Sequence, residues 1–277
     1  MSVAAASPAS PVSRPQLLDQ LCRGVLSLAE SQAWQRWLRS SRRFHHYSFP
    51  NQVLILSQRP DATWVTGYRS WLKLGRQVRR GERGIRILAP CLVAAPVSAE
   101  AVQDPPPPSL RGFRVARVFD VSQTEGPELP QPVQLVGGGG ADSQLGRLAA
   151  RAVEIGFALE FTPLWGARNG DCSHALRRIR VSSHLPARHQ AKTLAHELAH
   201  ACLHGSDFRG SRALAELEAE SVAFLVCAEL GIDSSAYSFG YVATWSGGGA
   251  QASQLISATG GRVLAGAAAV LGSAHLA

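Results

Sequence analysis

Residues 193–200 read Thr-Leu-Ala-His-Glu-Leu-Ala-His and hold an HExxH motif inside a segment predicted to be helical over 187–204. Residues four apart share one face of a helix, so the imidazoles of His196 and His200 can converge on a single metal ion. Glu197 then stands beside the open coordination position, where it can act as a general base. The motif therefore predicts a metal site of the kind that zinc-dependent peptidases use.

A second predicted helix, over 211–230, supplies the missing ligand. It carries three acids in five residues, Glu216-Leu217-Glu218-Ala219-Glu220, in an otherwise apolar stretch. A catalytic zinc requires a third protein ligand and leaves one position for water, and we assign Glu216 as that ligand. Glu220, one turn later, is expected to orient a histidine. Glu218 projects about 200° around the helix from Glu216 and is expected to face solvent.

His204 continues the spacing of four but cannot join the same ion. It lies about 12 Å from His196 along the helix axis, whereas zinc–nitrogen bonds are about 2 Å long. We expect it to contact the last carbonyls of its helix, and we expect Gly205 and Gly231 to end the two helices in the left-handed conformation. The residues considered as donors to a developing oxyanion are His174, Tyr237 and Tyr241.

All residue types of a peptidase site are present, including the base Glu197, which a purely structural metal site would not need. In such an enzyme the metal polarises the scissile carbonyl and lowers the pKa of water towards about 7. Glu197 takes a proton from this water and later passes it to the leaving amine. The alternative that the residues leave open is a metal ion that only stabilises the fold.

The composition is that of a globular protein of one or two domains. Of the 277 residues, 45% are apolar and 17% are charged, which excludes a collagen-like or wholly disordered chain. The five cysteines are scattered and form no CxxC pair, which argues against a disulfide framework. No secretory signal is visible, and the longest apolar run, 263–271, is too short to span a membrane. We therefore expect a cytoplasmic protein without a membrane partner.

The net charge of +8 is concentrated in one segment. Residues 34–88 hold twelve Lys or Arg against two acids, a local charge of +10, and the rest of the chain carries −2. Aromatic residues alternate with these cations, and aromatic faces beside cations are typical of proteins that bind single-stranded nucleic acid. The alternative is that the tryptophans belong to the core and the arginines to a solvated face.

The expected partner of this segment is a nucleic acid. The glycines of a predicted turn at 79–84 would let backbone N–H groups approach a phosphate. The residues assigned to nucleic-acid contact are Arg42, Arg43, Trp64, Tyr68, Arg69, Trp71, Lys73, Arg76, Arg79, Arg80 and Arg83.

The chain is predicted to be an α+β protein of two domains. Residues 1–14 are expected to be disordered, and 15–130 to form a small basic domain with a proline-rich insertion at 104–108. A linker at 131–145 contains four consecutive glycines, and 146–277 form the domain with the metal site. Helices are predicted at 16–39, 68–74 and 144–155, strands at 62–66, 85–88, 113–120, 157–162 and 178–181, and a turn at 169–171.

Two regions carry a family resemblance. ATWVTGYRSWLKLGRQVRRGERGIRI at 62–87, followed by VFDVSQ at 118–123, resembles the N-terminal single-stranded-DNA-binding domain of ArdC-like antirestriction proteins. IRVSSHLPARHQAKTLAHELAHACLHG at 179–205, ELEAESVAFLVCAELGI at 216–232 and YSFGYVATW at 237–245 resemble the zincin-like domain of the ImmA/IrrE peptidases. The resemblance implies binding of single-stranded DNA, a divalent metal on His196, His200 and Glu216 as in gluzincins, and a mobile-element or phage-defence setting.

The resulting hypothesis is a zinc metallopeptidase, with one zinc ion per chain, that binds single-stranded DNA and hydrolyses a DNA-associated protein. The alternative is a non-enzymatic, DNA-binding antirestriction protein whose metal site is structural. Replacement of Glu197 by Gln separates the two hypotheses, because only the first requires a base.

Overall fold

The computed structural model describes residues 14–44, 46–93, 109–129, 141–164, 168–232 and 250–272. The expectations for residues 1–13, 104–108 and 137–140, and for Tyr237 and Tyr241, lie outside the described residues. Helices and sheets both occur, which confirms the α+β prediction. The chain divides into two compact units: the first comprises the residues up to Gly24 and Leu54–Gly126, the second Val25–Val53 and the chain from Pro127 onward.

The first unit is built around a three-stranded antiparallel sheet. Its strands are β1 (Val65–Gly67), β3 (Ile85–Val93) and β4 (Ser109–Asp120), in the order β1-β4-β3. A second antiparallel pair consists of β2 (Gln77–Val78) and β5 (Thr124–Glu125), and α4 (Tyr68–Lys73) connects β1 to β2. The helices α1 (Arg14–Ser27) and α3 (Phe49–Gln58) each contribute residues to both units.

Alternation along β3 and β4 gives this sheet one buried and one exposed face. Ile85, Ile87 and Val118 belong to the buried face. Asp120 ends β4 and is also buried, and its carboxylate accepts hydrogen bonds from the backbone N–H groups of Thr63, Trp64 and Ser122. These hydrogen bonds satisfy the buried charge and fix the end of β4 beside the start of β1.

The second unit combines a three-stranded sheet with a group of helices. The strands are β6 (Ala158–Thr162), β7 (Gly170–Ser173) and β8 (Arg178–Ser182), in the order β6-β8-β7, with β6 parallel and β7 antiparallel to β8. The helices are α2 (Ser31–Ser41), α5 (Ala141–Glu154), α6 (Ala187–Leu203), α7 (Arg212–Glu229) and α8 (Ala250–Leu271). α6 contacts both β7 and β8 and packs against α5, α7 and α8, so it is the central helix of the unit.

Residues 25–53 pack in this second unit, which differs from the predicted division at 131–145. Trp34 donates a hydrogen bond from Nε1 to Oγ of the buried Ser221 on α7, at 2.9 Å. Trp37 donates from Nε1 to Oε1 of Gln52 at 3.0 Å. Both indoles are fully buried, and buried tryptophans of this kind contribute strongly to a core. For this part of the basic segment, the interpretation of the tryptophans as core residues is the one that holds.

Several local predictions differ from the structure. The helix predicted over 16–39 is two helices, α1 and α2, and the apolar run 53–56 lies in α3. Residues 170 and 171, predicted in a turn, begin β7, because pairing with β8 outweighs the turn preference of an Asn-Gly-Asp sequence. Gly231 has the expected positive φ, of +71°, but Gly205 does not, since α6 ends at Leu203 and His204 takes the capping position.

α8 is longer than the apolar run 263–271, from which we expect no membrane-spanning segment. By length and composition alone, its stretch 251–271 could cross a membrane. Half of this stretch is buried inside the structure, and α8 packs against α6 and α7. This is the environment of a core helix.

Candidate metal centre and nucleic-acid surface

α6 and α7 bring the three predicted ligands to one point. His196 and His200 lie one turn apart on α6, and their Nε2 atoms are 3.1 Å from each other. Glu216 on α7 places Oε2 3.4 Å from Nε2 of His196 and 3.7 Å from Nε2 of His200. Ligand atoms around a tetrahedral ion with bonds of about 2.0–2.1 Å are about 3.3 Å apart. The three side chains therefore surround a position that fits a divalent metal.

Glu220 contacts His196 at Nδ1, the ring nitrogen that is not directed at the other two ligands. Its Oε2 accepts a hydrogen bond from Nδ1 of His196 at 3.2 Å. A histidine that donates from Nδ1 to a carboxylate keeps the Nε2 lone pair for a metal. This is the geometry that the role predicted for Glu220 requires.

Without a metal ion, one of the three predicted ligands is protonated at neutral pH. Hydrogen bonding from His196 lowers the pKa of Glu216 to about 2. Burial disfavours the imidazolium of His196, but hydrogen bonds to Glu216 and Glu220 and the charge of Glu197 raise its pKa to about 9. Burial and the charge of His196 lower the pKa of His200 to about 4. At neutral pH the proton therefore sits on His196, and metal binding must displace it.

Glu197 lies beside this cluster and is only 7% exposed. Burial raises its pKa to about 7, although the charge of His196 opposes this effect. Gly170 on β7 packs directly against it: a β-carbon there would lie 2.9 Å from Oε1 of Glu197 and 2.6 Å from Cγ2 of Thr193. Glycine is thus the residue that leaves room for the carboxylate, a role that sequence reasoning missed because it placed Gly170 in a turn.

The site opens into a cleft of about 830 Å³. β7, an edge strand of its sheet among the described residues, forms one wall, and α6 and α7 form the others. Lining residues beyond the ligands and Glu197 include Arg168, Asn169, Cys172, His174, Lys192 and Arg212. The ligand position and the carboxylate of Glu197 therefore line the same cleft.

Two lining residues have chemistry that the structure restricts. Burial, reinforced by the charge of Glu197, raises the pKa of the Cys172 thiol to about 12, so this cysteine remains protonated and is a poor nucleophile. His174 donates from Nε2 to the backbone oxygen of His200 at 3.0 Å, so that nitrogen is occupied rather than directed at an oxyanion.

The prediction that Glu218 faces solvent is wrong, because this residue is fully buried. Its Oε2 accepts a hydrogen bond from Nε2 of His204 at 3.1 Å, and its Oε1 accepts from Nε of Arg262 on α8 at 2.8 Å. Burial by itself raises the pKa of a carboxyl, but these two hydrogen-bond donors lower the pKa of Glu218. Helix periodicity gives the direction of Glu218 relative to Glu216 and does not reveal that α8 covers that side.

His204 also differs from its prediction. Its side chain is 6% exposed and contacts side chains rather than the last carbonyls of α6. Nδ1 of His204 lies 2.9 Å from Nδ1 of His200, and Nε2 contacts Glu218.

The burial of Glu218 had a signal in the sequence: Arg262 is the single charged residue of 250–272, and a lone cation in an apolar helix indicates a buried carboxylate partner.

Some residues predicted to bind DNA have structural roles instead. Trp71 is fully buried and donates from Nε1 to the backbone oxygen of Phe119, so its assignment as a stacking surface is wrong. Arg76 is half-buried and donates to the side chain and the carbonyl of Thr124 and to the carbonyl of Gly126. Its guanidinium joins β2 to β5, which leaves it poorly placed to contact a phosphate.

The other predicted DNA contacts lie at least partly in solvent. Arg42 and Arg43 are exposed but belong to the second unit, and Arg42 is paired with Glu229. Trp64 is half-buried, and Arg79 is paired with Glu82. The remaining residues are exposed in the first unit: Tyr68, Arg69, Lys73, Arg80 and Arg83.

The exposed face of the β3–β4 pair adds residues that the sequence pattern did not single out. Arg86 and Arg117 lie directly opposite each other, where like charges repel. Nε of Arg86 is buried and has no hydrogen-bond partner among the described residues. Phe119, on the same face of β4 as Arg117, contacts Tyr68 edge-to-face with ring centroids 6.4 Å apart. We call Tyr68, Arg86, Arg117 and Phe119 the arginine–aromatic face.

Comparison with protein families divides the sequence into two matched regions. Residues 16–121 match the family described as the N-terminal domain of anti-restriction factor ArdC. Residues 162–236, which contain the HExxH motif and Glu216, match a peptidase family described as the IrrE N-terminal-like domain. Among curated proteins, none matches the sequence.

Two solved structures share the fold. The metal-free crystal structure of the antirestriction protein ArdC from plasmid R388 is 21% identical, covers 91% of this chain and 96% of its own, and has a TM-score of 0.54. The Mn(II)-bound structure of that protein is also 21% identical, covers 84% of this chain and 95% of its own, and has a TM-score of 0.51. The likeness extends over both units of the chain.

Proposed function

Since the chain is an ArdC-like antirestriction protein that carries an IrrE-like domain, we propose that it is a zinc-dependent peptidase combined with a single-stranded-DNA-binding unit. The observation that supports the peptidase is the cluster of His196, His200 and Glu216, with the buried Glu197 beside it and a cleft in front. Structural zinc sites are closed by four protein ligands, whereas catalytic sites keep one position open. The described residues supply three ligands here, which favours the catalytic type.

In the proposed reaction His196, His200 and Glu216 hold the metal. When bound, zinc supplies Lewis-acid chemistry, which polarises a carbonyl and acidifies water. Glu197 is placed to take a proton from water and deliver it to the leaving amine. Proton transfer by a carboxyl positioned in this way is a form of general acid–base catalysis. Gly170 allows the carboxylate to occupy its position, and Glu220 holds the ring of His196.

We propose a DNA-associated protein in the cytoplasm as the substrate, because one chain combines a basic unit with the peptidase-like unit. The test compares new protein N-termini, identified by labelling and mass spectrometry, in cells that express the wild-type protein or Glu197→Gln. We expect new N-termini with the wild type and their loss with Glu197→Gln while the purified variant retains its metal. New N-termini that persist with Glu197→Gln would show that Glu197 does not act as a base, and their absence from the wild-type sample would contradict the proposed peptidase.

The support for DNA binding comes from the arginine–aromatic face. Arginines on an exposed sheet attract phosphates, and neighbouring aromatic rings can stack on bases without sequence preference. An anion bound beside Arg86 and Arg117 would relieve the repulsion between the two guanidinium groups. Exposed cations of the same unit, including Lys73, Arg80 and Arg83, add to its positive charge.

Salt dependence tests this surface. We expect the binding of labelled oligo-dT to the full chain to weaken steeply with salt, and Arg117→Gln to reduce the slope of log K against log salt by about 0.7 per lost phosphate contact. Arg23→Gln is the matched control, since Arg23 is an exposed arginine of the same unit that pairs with Asp19. Equal slopes for wild type and Arg117→Gln would remove Arg117 from the DNA contacts.

The second candidate function is protection of DNA without proteolysis, with a metal that only stabilises the fold. The exposed cations of the first unit favour it as much as they favour the first proposal. The two functions separate in a cell with an active restriction system that receives unmodified DNA. Full protection by Glu197→Gln supports the second function, and loss of protection supports the peptidase.

A further inference from the structure

A buried polar group lies directly behind one of the proposed metal ligands. His204, at the end of α6, contacts His200 through Nδ1 and Glu218 through Nε2, at 2.9 and 3.1 Å. Glu218 in turn accepts a hydrogen bond from Arg262 on α8. The side chain of His204 is 6% exposed and that of Glu218 is 0% exposed. Buried polar groups are costly unless each has a partner, and here each contact supplies one.

The contacts of His204 with Glu218 and His200 favour one arrangement of the protons on the two imidazoles. A carboxylate can only accept, so Nε2 of His204 donates to Glu218. Nδ1 of a neutral His204 then carries a lone pair and accepts from Nδ1 of His200. With His204 neutral, His200 carries its proton on Nδ1 and presents the Nε2 lone pair to the position shared with His196 and Glu216.

Arg262 stabilises the ionised form of Glu218, which accepts the hydrogen bond from His204. Its guanidinium donates to Glu218 and to Oγ1 of Thr259, so the buried carboxylate remains ionised and available as an acceptor. Without Arg262, an uncompensated carboxylate would sit in the core between α7 and α8. The ring of His200 is thus tied to α8, whereas the ring of His196 is tied to Glu220 on α7.

We propose that His204, Glu218 and Arg262 are positioning residues that fix the ring and the tautomer of His200 for metal binding. This inference rests on the metal site of the proposed function but does not require peptide cleavage. A substitution that removes the acceptor at position 204 should weaken metal binding, and one that restores an acceptor should recover it. Outer partners of ligating histidines typically contribute roughly 10- to 100-fold to metal affinity.

The test measures zinc binding to the full chain by competition with a chromophoric chelator. We expect His204→Leu to weaken zinc binding roughly 10- to 100-fold, because leucine cannot accept a proton from His200. His204→Asn can accept through its side-chain oxygen and donate through its nitrogen, so we expect it to bind zinc within about 3-fold of wild type. Glu229→Gln, on the same helix as Glu218 but exposed, is the matched control and should leave zinc binding unchanged.

A second measurement needs no variant. Nitrogen-15 NMR of the imidazoles in the zinc-loaded protein should show His200 protonated at Nδ1 and His204 protonated at Nε2. Wild-type zinc affinity in His204→Leu, or the opposite tautomer of His204, would overturn the inference. Zinc affinity and tautomers are measured without a peptide substrate. A failure of the positioning role proposed for His204, Glu218 and Arg262 is therefore distinguishable from a failure of the proposed peptidase.

Discussion

At the scale of single residues, Glu197 combines a proposed role as a base with a cost to stability. Its carboxyl is almost completely removed from solvent, and burial raises its pKa to about 7. A shift of this size is typical of residues selected for acid–base chemistry rather than for folding. In the metal-free protein, ionisation of Glu197 therefore lowers the free energy of unfolding.

Because Gln cannot ionise, we expect Glu197→Gln to be more stable than the wild type at high pH. In chelator-treated protein at pH 8, we expect the variant to exceed the wild type in free energy of unfolding by up to about 3 kcal/mol. The sign follows from the raised pKa. Below the ordinary value of 4.5 both folded and unfolded states hold the proton, but between 4.5 and about 7 the unfolded state loses it first. The wild type therefore loses stability as pH rises through this window, whereas the glutamine variant does not.

Urea unfolding near pH 4.5 and at pH 8 measures the effect. The difference between the two proteins should be small at the lower pH and largest at the higher one. Glu160→Gln, an exposed substitution on β6, serves as the control and should show no such trend. Equal stability of wild type and Glu197→Gln at pH 8 would contradict the penalty for burying this charge.

Residue-level prediction from the sequence succeeded where chemistry and spacing act together. HExxH and ELEAE identified the residues that the structure brings to one point, His196, His200 and Glu216, because helical spacing fixes which side chains share a face. Glu218 and Trp71 were misplaced because their surroundings come from elements distant in sequence. A charged or aromatic residue in an amphipathic pattern does not reveal which neighbour will cover it.

At the scale of elements, the packing of β7 against α6 forms the wall of the cleft. Gly170 lies at the start of β7, and the adjoining side of α6 presents Thr193 and Glu197 to it. Thr193 is β-branched and its rotamers in a helix are restricted, so it cannot easily move away from a larger residue. The close approach of strand and helix is therefore possible only with glycine at this position.

Gly170→Ala should consequently disturb the base more than the ligands. The added carbon would meet both Thr193 and Glu197, so the carboxylate must shift. We expect a fall in kcat of roughly 100-fold, the scale of a misplacement of about 1 Å, with metal content unchanged. Peptide-cleavage kinetics on an identified substrate, together with metal analysis, measure the two quantities.

Gly146→Ala on α5 provides the comparison for this prediction. A β-carbon at position 146 meets nothing within 4 Å, so that variant should keep its activity and gain a little helix stability. Unchanged kcat in Gly170→Ala would show that Glu197 tolerates displacement or does not take part in the reaction.

Elements with strong local signals were predictable, and those defined by tertiary pairing were not. α6 and α7 were predicted within one residue at each end, because an apolar pattern with helical spacing runs along each of them. β7 was missed because Asn169-Gly170-Asp171 has the composition of a turn, and only its pairing with β8 makes it a strand. The break between α1 and α2 carries neither Gly nor Pro, so no local breaker indicated it.

At the scale of the whole molecule, sequence order and compact units do not coincide. The basic segment 34–88 begins in the second unit and ends in the first. The core contacts of its early part are made by Trp34 with Ser221 and by Phe49 beside Gly260. Composition could locate the charge and the glycine run, but it could not show that residues 25–53 pack with helices almost two hundred residues later.

This arrangement makes the chain suitable for fragment complementation. A break in the glycine run 137–140 would leave residues 25–53 on the N-terminal fragment and Ser221 and Gly260 on the C-terminal one. Coexpressed fragments should therefore associate and copurify through a tag on either, and Trp34→Ala should weaken the pair. Separate elution of the fragments would contradict this packing. In evolution, the same feature limits modular exchange: an N-terminal half taken from a relative and joined at this glycine run brings foreign helical residues into the peptidase-like core.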